Sequence, residues 1–239
     1  MDTIKINKGN VQMIAHRGLS GIELENTCPA FVAAGNRSYY GIETDVHVTA
    51  DGKYVVIHDN TTKRVAAEEI SIEGSTFDTL RAVPLCDAKG NGRIDLRIPT
   101  LEEYLRICAT YDKQCVLELK SPLTREEQEG MLEIIREIVP LEKMTFISFH
   151  YDTLCILREL EPNADIQFLG EFEITEDLVE KLSVHRFDLD WYYKRLTAEN
   201  IAMVHSRGIK VNCWTVNDPV AAEDLVAWGV DQITTNILE

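Results

Sequence analysis

Short apolar or β-branched runs alternate along the chain with longer segments whose apolar residues recur every three or four positions. That alternation limits the possible folds more than any other feature. Strands are expected near 11–16, 40–46, 114–119, 143–148, 165–169, 185–189, 209–214 and 231–234. The helical segments between them have legible ends. Thr100-x-x-Glu103 and Thr124-x-x-Glu127 read as capping boxes, and Asp218-Pro219 as an N-cap with a first-turn proline. Gly35, Gly208 and Gly229 stand where a left-handed C-terminal residue is expected. Eight strands separated by helices fit a closed α/β architecture, the TIM (β/α)8 barrel, better than an open doubly wound sheet, which usually holds five or six strands.

The 239 residues read as one barrel domain, 1–239, with no fixed-period repeat and no low-complexity linker. Residues 59–98 are too long and too rich in turn-formers for one loop, with Gly74-Ser75 and Asn91-Gly92 among them, so a rim insertion is expected there. Only Thr235 to Glu239 follow the last strand, too few for an eighth helix. Another segment, or a second copy of the chain in a homo-oligomer, is expected to cover that flank.

Charge narrows the partners. Lys and Arg number 24 against 40 Asp and Glu, a net charge of −16, which repels phosphate backbones and anionic bilayers. Neither nucleic acid nor membrane is therefore an expected partner, and an anionic ligand would need locally built positive charge. No apolar run approaches the roughly 18 residues of a membrane span, and the polar start of the chain (Asp2, Lys5, Asn7, Lys8, Asn10) is unlike a signal peptide, so a cytoplasmic location is expected. Cys28, Cys86, Cys108, Cys115, Cys155 and Cys213 show no C-x-x-C spacing and read as reduced core residues.

In a barrel of this type chemistry sits at the carboxyl ends of the strands. The first strand ends in His16-Arg17-Gly18, the second contains Glu43-Thr44-Asp45, and the third contains Glu118-Leu119-Lys120. Side chains two apart on a strand share a face, so Glu43 pairs with Asp45 and Glu118 with Lys120. After Asp45, two β-rich arms flank Asp51-Gly52, a strong hairpin signal. A two-residue loop there sets Asp45 opposite His58, whereas a bulge at Gly52 shifts the register by one.

Three converging carboxylates raise one another's pKa unless a cation joins them. All-oxygen ligation by Glu43, Asp45 and Glu118 suits one divalent cation, Mg²⁺ or Ca²⁺, rather than zinc. With Arg17 and Lys120 such an ion would supply the positive field that holds a phosphate. His16 and His58, two imidazoles that titrate near neutrality, add the means to accept one proton and donate another. This equipment suits phosphoryl transfer or phosphodiester hydrolysis.

The chain resembles the glycerophosphodiester phosphodiesterases. The resemblance runs through His16-Arg17-Gly18, Glu25-Asn26-Thr27, Glu43-x-Asp45, Thr49-x-Asp51-Gly52, His58-Asp59, Ile98-Pro99-Thr100-Leu101-Glu102, Glu118-x-Lys120, Trp214-Thr215-Val216-Asn217 and Gly229-Val230-Asp231. It implies a TIM barrel with a small subdomain inserted after His58, and hydrolysis of a small-molecule glycerophosphodiester to glycerol 3-phosphate and an alcohol. It further implies that Glu43, Asp45 and Glu118 ligate the metal and that His16 and His58 act as acid and base. Arg17 and Lys120 would contact phosphate, Glu25 would support the site, and Trp214 would form an apolar wall. In such enzymes a glycerol hydroxyl is thought to attack phosphorus first, giving a cyclic phosphate that water opens.

Two positions depart from that pattern: Leu24 stands where proline commonly precedes Glu-Asn-Thr, and Asn236 where aspartate is common. The other histidines, His47, His150, His185 and His205, read as structural, and the charge-rich helix 124–137 as a solvated outer face. Two rival functions share these residues. One is phospholipase D-like cleavage of lysophospholipids or sphingomyelin; the other is a barrel that binds phosphate without catalysis.

Overall fold

Among the described residues, 2–86, 91–93 and 95–239, the computed structural model closes eight parallel strands into a barrel with helices between them. The chain begins β1 (Gln12–Ala15), α1 (Cys28–Gly35), β2 (Gly41–Val48), β3 (Tyr54–Val56), α2 (Phe77–Ala82), β4 (Leu85–Cys86), β5 (Gly92–Arg93) and α3 (Leu101–Thr110). It continues β6 (Gln114–Leu119), α4 (Arg125–Ile138), β7 (Met144–Ser148), α5 (Tyr151–Leu160), β8 (Asp165–Gly170) and α6 (Glu176–His185). It ends β9 (Asp188–Tyr192), α7 (Ala198–His205), β10 (Val211–Trp214), α8 (Pro219–Trp228) and β11 (Gln232–Thr235). The staves run β1-β2-β6-β7-β8-β9-β10-β11 and back to β1, while β3 pairs antiparallel with β2 outside the ring. Staves covered on both faces are buried throughout, as in β2 and β6, where every residue is inside. No helix among the described residues is long and apolar enough to cross a membrane.

The capping boxes at Thr100 and Thr124 form, each with its glutamate returning a bond to the cap backbone. Asp218 caps α8 and Gly229 closes it in the left-handed region at φ 91°. Gly35 corrects the reading of a left-handed end: it is the last residue of α1, and a Cβ there would lie 2.5 Å from the Tyr111 ring. Close packing, not backbone handedness, demands the glycine. The sixth stave also differs, starting at Asp188 instead of 185. Helix α6 continues to His185 and stops where Arg186 enters the left-handed region at φ 54°. An arginine gives no such signal in sequence, so the strand is displaced and His185 lies on the last helical turn.

The rim insertion carries its own apolar cluster, with Val65, Ile72, Leu80, Leu85 and Leu96 packed on Val55, Ile57 and Ile98. Residues 87–90 and 94, part of the expected insertion, and Met1 lie outside the described residues. The flank without an eighth helix is covered by the amino-terminal arm. Ile4 N donates to Ile237 O and Glu239 N to Ile4 O, at 3.0 and 2.8 Å, and Leu238 is fully buried.

Candidate active site

A cavity of about 220 Å³ opens at the carboxyl ends of the staves and brings together His16, Arg17, Glu43, His58, Glu118, Lys120 and Trp214. Its first wall is a turn. Arg17 and Gly18 both take positive φ, 54° and 73°, immediately after β1. A Cβ on Gly18 would meet the Ala30 backbone at 2.7 Å, so only glycine fits. This turn aims the Arg17 N–H at Glu43 Oε2, 2.7 Å away.

Glu43 and Asp45 share a face of β2, and the lateral register of β2 on β6 sets Asp45 beside Glu118. Each of the three acids is buried and offers an oxygen, all within 4.8 Å of one another. Burial, then the neighbouring carboxylates Asp45 and Glu118, hold the Glu43 carboxyl well above its ordinary range. Burial and Asp45 likewise push Glu118 up to about 8. Asp45 behaves oppositely: burial pushes it up, but Lys120 and Arg17 outweigh that and hold it well below the usual carboxylate range. Lys120 Nζ stands 2.8 Å from Glu118 Oε1 and 3.4 Å from Asp45 Oδ1, and that Asp45 oxygen has no hydrogen-bond partner of good geometry. A buried carboxylate held low and with an unsatisfied oxygen, beside two acids whose ionisation is disfavoured by burial and by one another, fits a divalent cation held by Glu43, Asp45 and Glu118.

The hairpin corrects the two-residue loop. Val46 pairs with Val56 and Val48 with Tyr54, so Asp45 faces Ile57 rather than His58, and Ile57 N donates to Asp45 O at 3.1 Å. The loop holds three residues, Ala50, Asp51 and Gly52, because Thr49 Oγ1 accepts from Lys53 N and donates to Asp51. Gly52 takes φ 72°. His58, one residue beyond the pairing, still lines the cavity.

Each imidazole is anchored through Nδ1. His58 Nδ1 lies 2.6 Å from Asp59 Oδ1, and His16 Nδ1 lies 2.7 Å from Asn236 Oδ1, which also accepts from Ser20 Oγ. Both acceptors fix the tautomer with Nδ1 protonated, leaving the Nε2 lone pair free. Burial, then the Arg17 cation, lower His16 to about 4, and burial chiefly lowers His58. Glu25 stands behind this layer: Arg17 Nη1 donates to it at 2.8 Å, and Arg64 from the insertion grips both its oxygens while its Nε donates to Asp59 at 2.7 Å. Trp214 packs edge-on against Phe149, ring centres 5.6 Å apart.

Sequence reading missed Asp190, Asn236 as a histidine anchor, and Arg64. Asp190 follows the end of the sixth strand as first placed, which hid it among loop residues. His47 is buried with Nδ1 on Glu73, and His150 Nε2 lies 3.2 Å from Lys120 O.

The sequence profile described as the Glycerophosphoryl diester phosphodiesterase family matches residues 16–239. A glycerophosphodiester phosphodiesterase of Caldanaerobacter subterraneus subsp. tengcongensis is 29% identical, the match covering 94% of this chain and 93% of that protein. An Oleispira antarctica phosphodiesterase, solved in complex with the product sn-glycerol-3-phosphate, superposes with a TM-score of 0.86 at 26% identity, covering 97% of this chain and 95% of that one. The glycerophosphodiester phosphodiesterase of Thermotoga maritima gives 0.77 at 28% identity, covering 95% and 94%. Sequence and fold agree over nearly the full length, and the chain belongs to the glycerophosphoryl diester phosphodiesterase family.

Proposed function

We propose that this chain hydrolyses small water-soluble glycerophosphodiesters to glycerol 3-phosphate and an alcohol, with one divalent cation, Mg²⁺ or Ca²⁺, on Glu43, Asp45 and Glu118. The observation that carries this reading is the convergence of those acids, two cationic side chains and two imidazoles on one small cavity. The bound ion would neutralise the acids and polarise phosphoryl oxygens. Arg17 and Lys120 hold the non-bridging oxygens. A net charge of −16 sets the surface against anionic bilayers and nucleic acid, which fits a soluble substrate and a cytoplasmic enzyme.

The imidazoles divide the proton work. Asp59 stabilises the imidazolium that His58 becomes, so His58 takes the proton of a glycerol hydroxyl. That oxygen bonds to phosphorus as the bond to the departing alcohol breaks. His16 is buried beside the Arg17 cation, and burial and that charge both favour proton release, so it protonates the leaving oxygen once the anionic phosphate has raised its pKa. Water then opens the cyclic phosphate with the roles reversed. Trp214 walls the organic part of the substrate.

A coupled glycerol 3-phosphate assay on glycerophosphocholine and glycerophosphoethanolamine, with Mg²⁺ or Ca²⁺, tests the reading. Product from neither substrate under either ion would leave a phosphate-binding barrel, and choline released only from lysophosphatidylcholine would favour the lipid-directed alternative. Asn236→Asp tests the proton assignment. A carboxylate in place of the amide 2.7 Å from His16 raises the imidazole pKa by roughly 1–2 units. The alkaline limb of the pH profile of kcat, which reports groups in the enzyme–substrate complex, is expected to move to higher pH by about 1 unit, and an unmoved limb would remove His16 from the acid role.

A further inference from the structure

Stave β9 stands four places round the barrel from β2, across from the acids. The cavity wall on that side is largely apolar, with Ile147, Leu169 and Trp214, the last packed on the cluster that the other two form with Ile14 and Val116. An unpaired carboxyl interrupts it. Asp190 is 1% exposed, its Oδ1 has no hydrogen-bond partner, and the Trp214 indole N–H donates to its backbone carbonyl at 3.3 Å. Buried polar groups in proteins are nearly always paired, and an orphan destabilises the fold unless a ligand completes it. Burial, then Glu118, hold the Asp190 carboxyl well above its ordinary range, so it can donate as well as accept.

A cavity of about 220 Å³ is smaller than the roughly 300–1,000 Å³ of sites that enclose a drug-sized ligand. It therefore takes one small fragment beside the phosphate, and under the function proposed above that fragment is the glycerol. A three-carbon chain offers its C–H face to Trp214, and one of its two free hydroxyls is engaged in attack on phosphorus. The other reaches away from the charged groups, towards the Asp190 carboxyl on the far side of the lining. We propose that Asp190 is a specificity-determining residue whose carboxyl hydrogen-bonds this terminal hydroxyl and so rejects substrates in which it is missing or acylated.

The test is calorimetric binding, in buffer containing Mg²⁺, of sn-glycerol 3-phosphate and of the matching enantiomer of propane-1,2-diol 1-phosphate, which lacks only that hydroxyl. The wild-type protein is expected to prefer the glycerol compound about 10- to 100-fold. Asp190→Asn, which also donates and accepts, should keep most of this preference, and Asp190→Leu should reduce it to about threefold or less. Asp190→Leu should unfold at a temperature no lower than wild type, since it removes an unpaired buried group. No preference in the wild-type protein, an undiminished preference in Asp190→Leu, or a much lower unfolding temperature for Asp190→Leu would each overturn the proposal. Turnover separates it from the reading on which it rests. Binding preference without hydrolysis of glycerophosphocholine overturns the hydrolase and leaves Asp190 standing, whereas hydrolysis without preference overturns Asp190 alone.

Discussion

Treatment with EDTA is expected to lower kcat/KM by about 10³-fold or more, and Mg²⁺ or Ca²⁺ to restore it, with the barrel folded throughout. Three buried acids face two cations, Lys120 and Arg17, and neither cation approaches every acid: Lys120 pairs with Glu118 and Asp45, while Arg17 leans on Glu25 and Asp45. In the metal-free protein burial and the neighbouring acids push Glu43 and Glu118 up, favouring their protonated forms. This has a signature in stability. Glu118 titrates near 8 in the fold and near its ordinary 4.5 when unfolded, so between those values the folded chain holds a proton that the unfolded chain releases. Stability from this group is complete below about 4.5 and is lost as pH rises towards 8; Glu43 acts in the same direction. A bound ion replaces the protons and removes the loss. The unfolding temperature with ion should therefore exceed that without it by a margin that widens from pH 5 to pH 8. A margin independent of pH would mean that the ion binds elsewhere.

Much of this arrangement is legible in sequence because it violates a local rule. Two acids within a stave buried on both faces demand a partner, and Glu43-x-Asp45 and Glu118-x-Lys120 supply that demand from neighbouring strands. Helix ends at Thr100, Thr124 and Gly229 are equally local, since cap and helix are a few residues apart. What escapes depends on contacts that no window of sequence contains. Asn236 meets His16 across 220 positions, and Ile4 meets Leu238 at opposite ends of the chain. Other misses come from competition between equal local options. Thr49 offers its hydroxyl to the turn and converts a two-residue hairpin into a three-residue one. Arg186 ends a helix in a conformation that glycine would have announced, which moves a strand by three residues and hides Asp190.

The same division between near and far partners governs the second large effect. His58→Ala and His16→Ala are each expected to lower kcat by about 10³-fold, with KM and unfolding temperature close to wild type. Neither imidazole serves as a major anchor of the fold: His58 is tied by its side chain to its own neighbour Asp59, and His16 to Asn236 and, through its backbone, to Thr235. Because the two act in one proton circuit, the double variant should fall less than tenfold below either single one. His58 has a further dependence. Arg64 spans Asp59 and Glu25, so the insertion fixes the carboxylate that fixes the imidazole. Arg64→Ala should thus cost about tenfold in kcat and shift the acid limb of the pH profile, which His58→Ala abolishes, while glycerol 3-phosphate binding is unchanged. Steady-state kinetics across pH on the four variants decides the matter. Multiplicative losses in the double variant would separate the imidazoles into independent roles, and an Arg64→Ala enzyme with an unaltered profile would detach the insertion from the proton transfer.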